Sequence, residues 1–95
     1  MGPYKKNTDE REMKITIDKE DLWNVDVTLA EIIVPLLKAY KNHEIHVKPT
    51  HKELDAMIWT FEQVLSDGYF LGQYDEKQFN KGMKLFIKNY RRLWI

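Results

Sequence analysis

The sequence predicts a mainly α-helical fold, a small antiparallel three-helix bundle, and two observations support this. Three segments repeat apolar residues at spacings of three and four, the period of a helix with one buried face. The connections between these segments are short, which favours antiparallel neighbours. Ninety-five residues suffice for one small domain, so enzymes with separate cofactor and substrate domains are excluded.

The N-terminal third precedes the clear helical pattern. Residues 1–13 show no periodicity and predict a flexible tail, followed by a single helical domain over 14–95. Residues 14–18 and 44–48 alternate polar and β-branched apolar side chains, as short strands do. These two segments can pair as a short two-stranded β ribbon, although neither would be stable alone.

The first helix is predicted from a capping box formed by Thr28 and Glu31, with Asp26 as an alternative cap one turn earlier. Pro35 falls inside the helix and predicts a kink, because proline removes a backbone hydrogen bond and clashes with the preceding turn. The helix should end by residues 41–42. Its predicted core face consists of Leu29, Ile32, Ile33, Leu36, Leu37 and Tyr40.

The second helix is predicted to begin at a capping box of Thr50 and Glu53 and to stop at Gly68. Its apolar stripe consists of Leu54, Met57, Ile58, Phe61, Val64 and Leu65. The linker 69–74 is rich in aromatic residues and is expected to fold back over the core.

The third helix is predicted to open at Asp75 with Gln78. Gly82 lies inside it without a capping role, and such a glycine typically permits close approach of two helices. Its apolar face runs to the end of the chain and consists of Phe79, Met83, Phe86, Tyr90, Leu93 and Trp94.

Composition excludes several classes of protein. The chain has no cysteine, which removes disulfide scaffolds, thiolate metal sites and cysteine nucleophiles. No apolar run approaches the ~20 residues of a membrane span, and the polar N-terminus lacks a secretory signal. Neither a nucleophile motif nor a phosphate-binding glycine loop is present. We therefore predict a protein that is not an enzyme and has no cofactor.

The histidines His43, His46 and His51 form the candidate metal cluster, with Glu44 or Glu53 as further ligands. His43 and His46 would lie on opposite faces of a strand, so they converge only if the chain turns there. Three solvated histidines are the simpler interpretation, and we predict no metal site.

Charge is strongly segregated along a chain whose net charge is zero. Residues 9–31 carry eight acids and three bases, whereas residues 77–95 carry six bases and no acid. Such asymmetry indicates either an interaction surface or two segments that neutralise each other within the fold or between protomers.

The basic third helix is the candidate ligand site, because cations hold phosphates and aromatic rings stack on bases. A solvated polar face over core aromatics is the alternative interpretation. The neutral chain argues against duplex DNA, whereas a small anionic ligand needs only a few local cations. The candidate phosphate contacts are Arg91, Arg92, Lys88 and Lys84, and the candidate stacking residues are Tyr90, Trp94 and Trp23.

Apolar residues also lie off the main helical stripes, at Val34, Leu85 and Ile87. Faces wider than one bundle needs predict that protomers associate, so we expect a homo-oligomer.

Three blocks of the chain, 21–38, 55–62 and 79–94, resemble a family of small tailed-phage proteins. That family has the patterns D-x-W-x-x-D-x-T-L-A-x-I-I-x-P-x-L-K, M-I-W-x-F-E and G-x-x-L-F-x-K-Y-Y-x-x-L-W in the same order. The region between the first two blocks is shorter here than the charged insertion of many relatives.

The resemblance implies a phage origin, hence the host cytoplasm and a role in infection. The leading hypothesis is a non-enzymatic sponge that sequesters a host nucleotide immune signal, such as a cyclic oligonucleotide or an ADP-ribose derivative. The alternatives are an inhibitor that docks on a host enzyme through the acidic segment 9–31, and a component of virion assembly.

Overall fold

A computed structural model describes residues 14–43 and 49–94 of the chain, and this part is mainly helical without strands. Its elements are a 3-10 turn (Lys19–Leu22), α1 (Val25–Lys41), α2 (His51–Val64), the one-turn α3 (Asp67–Phe70), α4 (Glu76–Asn89) and a C-terminal 3-10 turn (Tyr90–Arg92). The prediction of a mainly helical fold compatible with a small bundle is confirmed.

The predicted β ribbon is not found in the described residues. Residues 14–18 form no strand, and their proposed partner, 44–48, lies outside the described part of the chain. The predicted N-terminal tail, 1–13, also lies outside it.

Helix α2 packs antiparallel to α1. Lys41, the last residue of α1, pairs with Asp55 early in α2 at 2.6 Å. One turn earlier in α1, Lys38 pairs with Glu62, which lies later in α2, at 3.1 Å. Because the pairs run in opposite directions along the two helices, the helices are antiparallel.

Helix α4 packs on another side of α2, also antiparallel. The hydroxyl of Thr60 in α2 donates to the carbonyl of Phe79 at 3.1 Å. The rings of Phe61 and Phe86 meet edge to face, 4.9 Å between centroids. At Gly82 the helices approach so closely that a Cβ would overlap the Thr60 hydroxyl. The predicted role of this glycine in close helix contact is confirmed.

The buried core is centred on α2, because α1 and α4 meet it from different sides. No Cα atom of α1 lies within 8 Å of one in α4. Only side chains therefore bridge these two helices, and an apolar groove stays open between them. The buried apolar residues are Ala30, Val34, Leu37, Leu54, Met57, Ile58, Phe61 and Val64.

The predicted start of the first helix is wrong by one turn. Helix α1 begins at Val25 after Asn24 as N-cap, and Thr28 already lies inside it. The Thr28 hydroxyl donates to the carbonyl of Asp21 at 2.9 Å, which ties α1 to the preceding 3-10 turn. Pro35 does not end the helix, which continues to Lys41.

The predicted core face of α1 is also only partly correct. Leu29, Ile32 and Leu36 are at least half exposed, whereas Val34, which the sequence placed off the main stripe, is buried. Apolar residues cover so much of α1 that α2 can bury only one side of them. The other side is left without a partner helix in the described chain.

The start of α2 is confirmed, but the predicted stop is not. Thr50 Oγ1 accepts from Glu53 N–H at 3.2 Å, and the Glu53 carboxylate accepts from Thr50 N–H at 3.1 Å. Helix α2 ends at Val64, and Gly68 lies within α3. A Cβ on Gly68 would lie 2.7 Å from the carbonyl oxygen of Gln73, so this glycine permits a tight loop.

Helix α4 begins as predicted and ends earlier. Asp75 accepts from Gln78 N–H at 3.0 Å. The helix ends at Asn89, and the chain tightens into the 3-10 turn before Leu93 and Trp94.

The capping carboxylate of Glu53 makes folding depend on pH. Its pKa lies below the usual value, chiefly because it accepts the backbone N–H of Thr50; the side chains of Asn89 and Lys88 contribute less. A lowered folded-state pKa stabilises the fold above the unfolded-state pKa, about 4.3, and this is lost as pH falls through the folded-state value. Glu53→Gln should therefore lose less stability than the wild type between about pH 5 and pH 3.

Urea unfolding at a series of pH values measures this effect. Glu76→Gln is the matched control, because Glu76 is an exposed carboxylate in the first turn of α4. Equal losses for Glu53→Gln and the wild type would contradict the prediction.

Candidate functional site

Four lysines form a basic stripe on the outer face of α4. Lys77, Lys81, Lys84 and Lys88 are spaced by four, three and four residues, so they share one face of the helix. All four are exposed, and the opposite face packs on α2 through Phe79, Met83 and Phe86. We refer to these four lysines as the lysine stripe.

A shallow depression of about 740 Å³ lies along the first half of the stripe. Its lining combines ammonium and amide groups with one carboxylate, that of the N-cap Asp75. It is lined by Asp75, Lys77, Gln78, Asn80, Lys81, Lys84 and Leu85. Ammonium groups attract phosphate oxygens and amides hydrogen-bond to them, so the depression suits a small phosphate-bearing molecule.

Within the described residues, the lysines of this depression have no ion-pair partner. The two ion pairs found there join α1 to α2. Lys88, at the far end of the stripe, lies close enough to Glu53 to help lower its pKa. The positive charge available to a ligand is therefore concentrated at Lys77, Lys81 and Lys84.

Arg91 and Arg92 extend the basic surface beyond α4. Both lie in the C-terminal 3-10 turn with exposed side chains. The single hydroxyl hydrogen of Tyr40 is shared between the carbonyls of Arg92 and Trp94, each 3.0 Å away. This bond holds the end of the chain against the last turn of α1, and burial raises the pKa of the Tyr40 hydroxyl.

Tyr90 lies away from the lysine stripe. It follows Phe86 by four residues, and the two rings meet edge to face at 5.8 Å. Its ring lines the apolar groove between α1 and α4, which encloses about 290 Å³. The groove is lined by Ile33, Leu36, Leu37, Tyr40, Phe86, Tyr90 and Leu93. Tyr90 and the lysine stripe therefore lie on different faces of α4.

Trp23 is separated from the other two candidate stacking residues. It lies just before α1 and is 72% exposed, whereas the Tyr40 bond holds Trp94 at the far end of α1. The helix between Val25 and Tyr40 is about 22 Å long, at 1.5 Å per residue. Trp23 therefore cannot join Tyr90 and Trp94 around one ligand within a single chain.

Two acidic residues of the resemblance blocks have structural partners. Glu62 forms the ion pair with Lys38 between α1 and α2. Asp26 accepts from the hydroxyl of Tyr69 at 3.0 Å, and this bond raises the pKa of Tyr69. Tyr69 also packs against Tyr74 and Phe79, so the aromatic linker does cover part of the core.

The candidate metal cluster is only partly described. His43 and His51 flank the gap, and His46 lies outside the described residues. The described part contains no group of three or more histidine or carboxylate residues placed to hold a metal ion. Nor does it contain a helix with the length and apolarity needed to cross a bilayer.

Comparison of the chain with models of protein families, with curated proteins and with solved structures gives no match in any of the three. The resemblance to phage proteins therefore rests on the three sequence blocks alone.

Sequence reasoning missed part of the depression. It identified the basic third helix but selected the residues near Tyr90 and Trp94, because aromatic neighbours were expected to complete the site. Gln78 and Asn80 were not considered as ligand contacts. Their positions one residue from Lys77 and Lys81 could have indicated polar groups at the edge of the stripe.

Proposed function

We propose that this protein is a non-enzymatic binding protein that holds a small phosphate-bearing nucleotide on the lysine stripe of α4. The observation that supports this most directly is the depression lined by Lys77, Lys81 and Lys84, with no ion-pair partner for them in the described chain. A ligand that brings its own negative charge would neutralise this surface.

In this proposal the lysines contact the phosphates, and the amides of Gln78 and Asn80 contact the remainder of the ligand. Lys88, Arg91 and Arg92 extend the cationic surface for a ligand with more than one phosphate. Stacking by Tyr90, Trp94 or Trp23 would require a ligand that reaches around α4 or a second protomer.

The biological setting follows from the phage resemblance. A phage protein that binds a nucleotide without turnover would sequester a host immune signal in the host cytoplasm, such as a cyclic oligonucleotide or an ADP-ribose derivative. The short described chain and the open, shallow shape of the depression fit capture by surface charge better than enclosure of a reacting substrate.

Calorimetry against cyclic di- and trinucleotides and ADP-ribose derivatives tests the proposal. We expect saturable heat with one of them, and weaker binding as salt increases. The variant Lys81→Glu with Lys84→Glu should weaken binding about tenfold or more, because two attractive contacts become repulsive.

The matched control is Lys14→Glu with Lys52→Glu, which changes the net charge equally outside the stripe and breaks neither of the two ion pairs between α1 and α2. It should bind the nucleotide as the wild type does. An absence of heat from folded protein at about 100 μM would contradict the proposal, because any useful affinity would then be detectable. A stoichiometric host protein bound through the acidic segment, with no nucleotide released on denaturation, would instead favour the inhibitor alternative.

A further inference from the structure

A second apolar stripe runs the length of α1 on the side that α2 leaves open. Five of its six members are between 50% and 63% exposed, and Ala39 is exposed as well. From Val25 onward, spacings of four, three, four and three follow without a break, the pattern of a helix that packs against one other helix, and Leu22 lies in the 3-10 turn just before α1. The stripe, named here the α1 seam, consists of Leu22, Val25, Leu29, Ile32, Leu36 and Ala39.

We propose that the α1 seam is the interface of a homodimer, in which α1 of a second copy lies antiparallel along it. The two-fold axis passes between Ala30 and Glu31. The helical members Val25, Leu29, Ile32 and Leu36 support this register, because their spacing is symmetric about that point. Val25 then meets Leu36 of the second copy, Leu29 meets Ile32, and the turn that carries Leu22 comes toward the Ala39 end of the second helix.

Charge complementarity selects a second copy over other occupants. The seam itself carries no charge, so nothing in it repels an identical helix. Before α1 lie the exposed acids Asp18 and Glu20, and the Tyr40 bond places Arg92 beside the other end of α1. Antiparallel packing brings each acidic end to a basic end of the second copy. A parallel arrangement would place acid beside acid.

The exposed apolar area of the α1 seam also fits a dimer interface. At their exposed fractions, the five large seam residues and Trp23 together present several hundred Å² of apolar surface. A stable interface buries about 800 Å² per partner, of which somewhat more than half is apolar. The seam therefore offers about the apolar contribution that a standard dimer requires.

The dimer also changes the surroundings of the apolar groove. Leu22 and Trp23 of the second copy come to the last turns of α1, beside Tyr40 and the open end of the groove. Trp23, isolated in the single chain, then lies near Tyr90 and Trp94 of the other protomer. The three candidate stacking residues, Tyr90, Trp94 and Trp23, are thus brought together across the dimer interface.

Sedimentation equilibrium tests the interface. The wild type should have twice the chain mass of 11.5 kDa. Ile32→Glu should reduce the mass to one chain while circular dichroism still shows a folded helical protein. Ile87→Glu is the matched control, since Ile87 is an isoleucine on α4 outside the seam that is 69% exposed, against 50% for Ile32, and it should stay dimeric. A monomeric wild type, or equal effects of both variants, would overturn the proposal.

Cross-linking tests which residues of the two helices face each other. The chain has no native cysteine, so introduced cysteines supply the only thiols that can form a disulfide. A disulfide needs Cα atoms within about 7 Å. Val25→Cys and Leu36→Cys chains should form mixed disulfides when combined, whereas Val25→Cys alone should not cross-link. Disulfides of Val25→Cys with itself would show parallel helices and overturn the antiparallel dimer.

Discussion

Replacement of Gly82 by alanine is expected to lower the free energy of unfolding by about 2 kcal/mol, despite the higher helix propensity of alanine. A Cβ at this position overlaps the Thr60 hydroxyl and lies 2.5 Å from the carbonyl oxygen of Ala56. Because the carbonyl belongs to the backbone of α2, the two helices must move apart. The loosened contact is the main packing surface of α4. Thermal unfolding should show a melting temperature roughly 10 °C lower.

The double variant Gly82→Ala with Thr60→Ala separates the two clashes. It removes the hydroxyl but leaves the Ala56 carbonyl and the Cβ of residue 60, which lies 2.8 Å from the added Cβ, so it should recover part of the loss and no more. Asn80→Ala is the control for helix propensity at an exposed position of the same helix, and it should be neutral or slightly stabilising. A Gly82→Ala protein as stable as Asn80→Ala would show that α2 and α4 do not pack as described.

Leu54→Ala is expected to cost about 3 kcal/mol, within the range for leucine truncation in a closed core. Leu54 is completely buried in α2, the helix on which both α1 and α4 pack. Truncation removes apolar contacts and leaves a cavity that neither neighbour can fill without losing its own contacts. For a domain of this size the loss is a large part of the total stability, on the order of 5–14 kcal/mol.

Urea unfolding followed by far-ultraviolet circular dichroism measures the loss as a lower midpoint. Leu71→Ala is the matched control, because Leu71 is 67% exposed in the loop after α3. Its effect should stay within about 0.5 kcal/mol. Equal midpoints for the two variants would contradict the central position of α2.

Parts of the fold that depend only on residues close together in the sequence were predictable. The caps at Thr50 and Asp75 are hydrogen bonds across three residues, so the local sequence contains everything that they need. The role of Gly82 was predictable for a related reason, because a glycine inside a strong helical pattern has few purposes other than close packing. The lysine stripe likewise follows from spacing alone.

Other parts were not predictable from local pattern. Thr28 and Glu31 have the spacing of a capping box, but the 3-10 turn before α1 places the helix start at Val25. The hydroxyl of Thr28 then bonds to Asp21 instead of capping. In the same way, Gly68 resembles a helix stop, yet its small size is needed for the approach of Gln73. Both outcomes depend on contacts outside the helix concerned.

For the candidate site, the sequence identified the basic helix and only part of the depression that lies along it. Lys84, a candidate phosphate contact, lies in the depression, whereas Tyr90 faces the apolar groove and Trp23 lies just before the start of α1. The helical period places Tyr90 and Lys84 on different faces, but the lengths of the elements decide the distance of Trp23. That distance depends on how α1 packs against the C-terminal 3-10 turn, which local sequence does not determine.

By itself, then, the sequence determined the helical character, the caps of α2 and α4, the close contact at Gly82 and the lysine stripe. Each of these depends on side chains a few residues apart on one helix. The tertiary structure decided which side of α1 is buried. Apolar residues cover both sides of that helix, and only the position of α2 selects Val34 over Leu29 and Ile32. The side of α1 that faces away from α2 stays exposed as the α1 seam, because one neighbouring helix cannot bury so wide an apolar face.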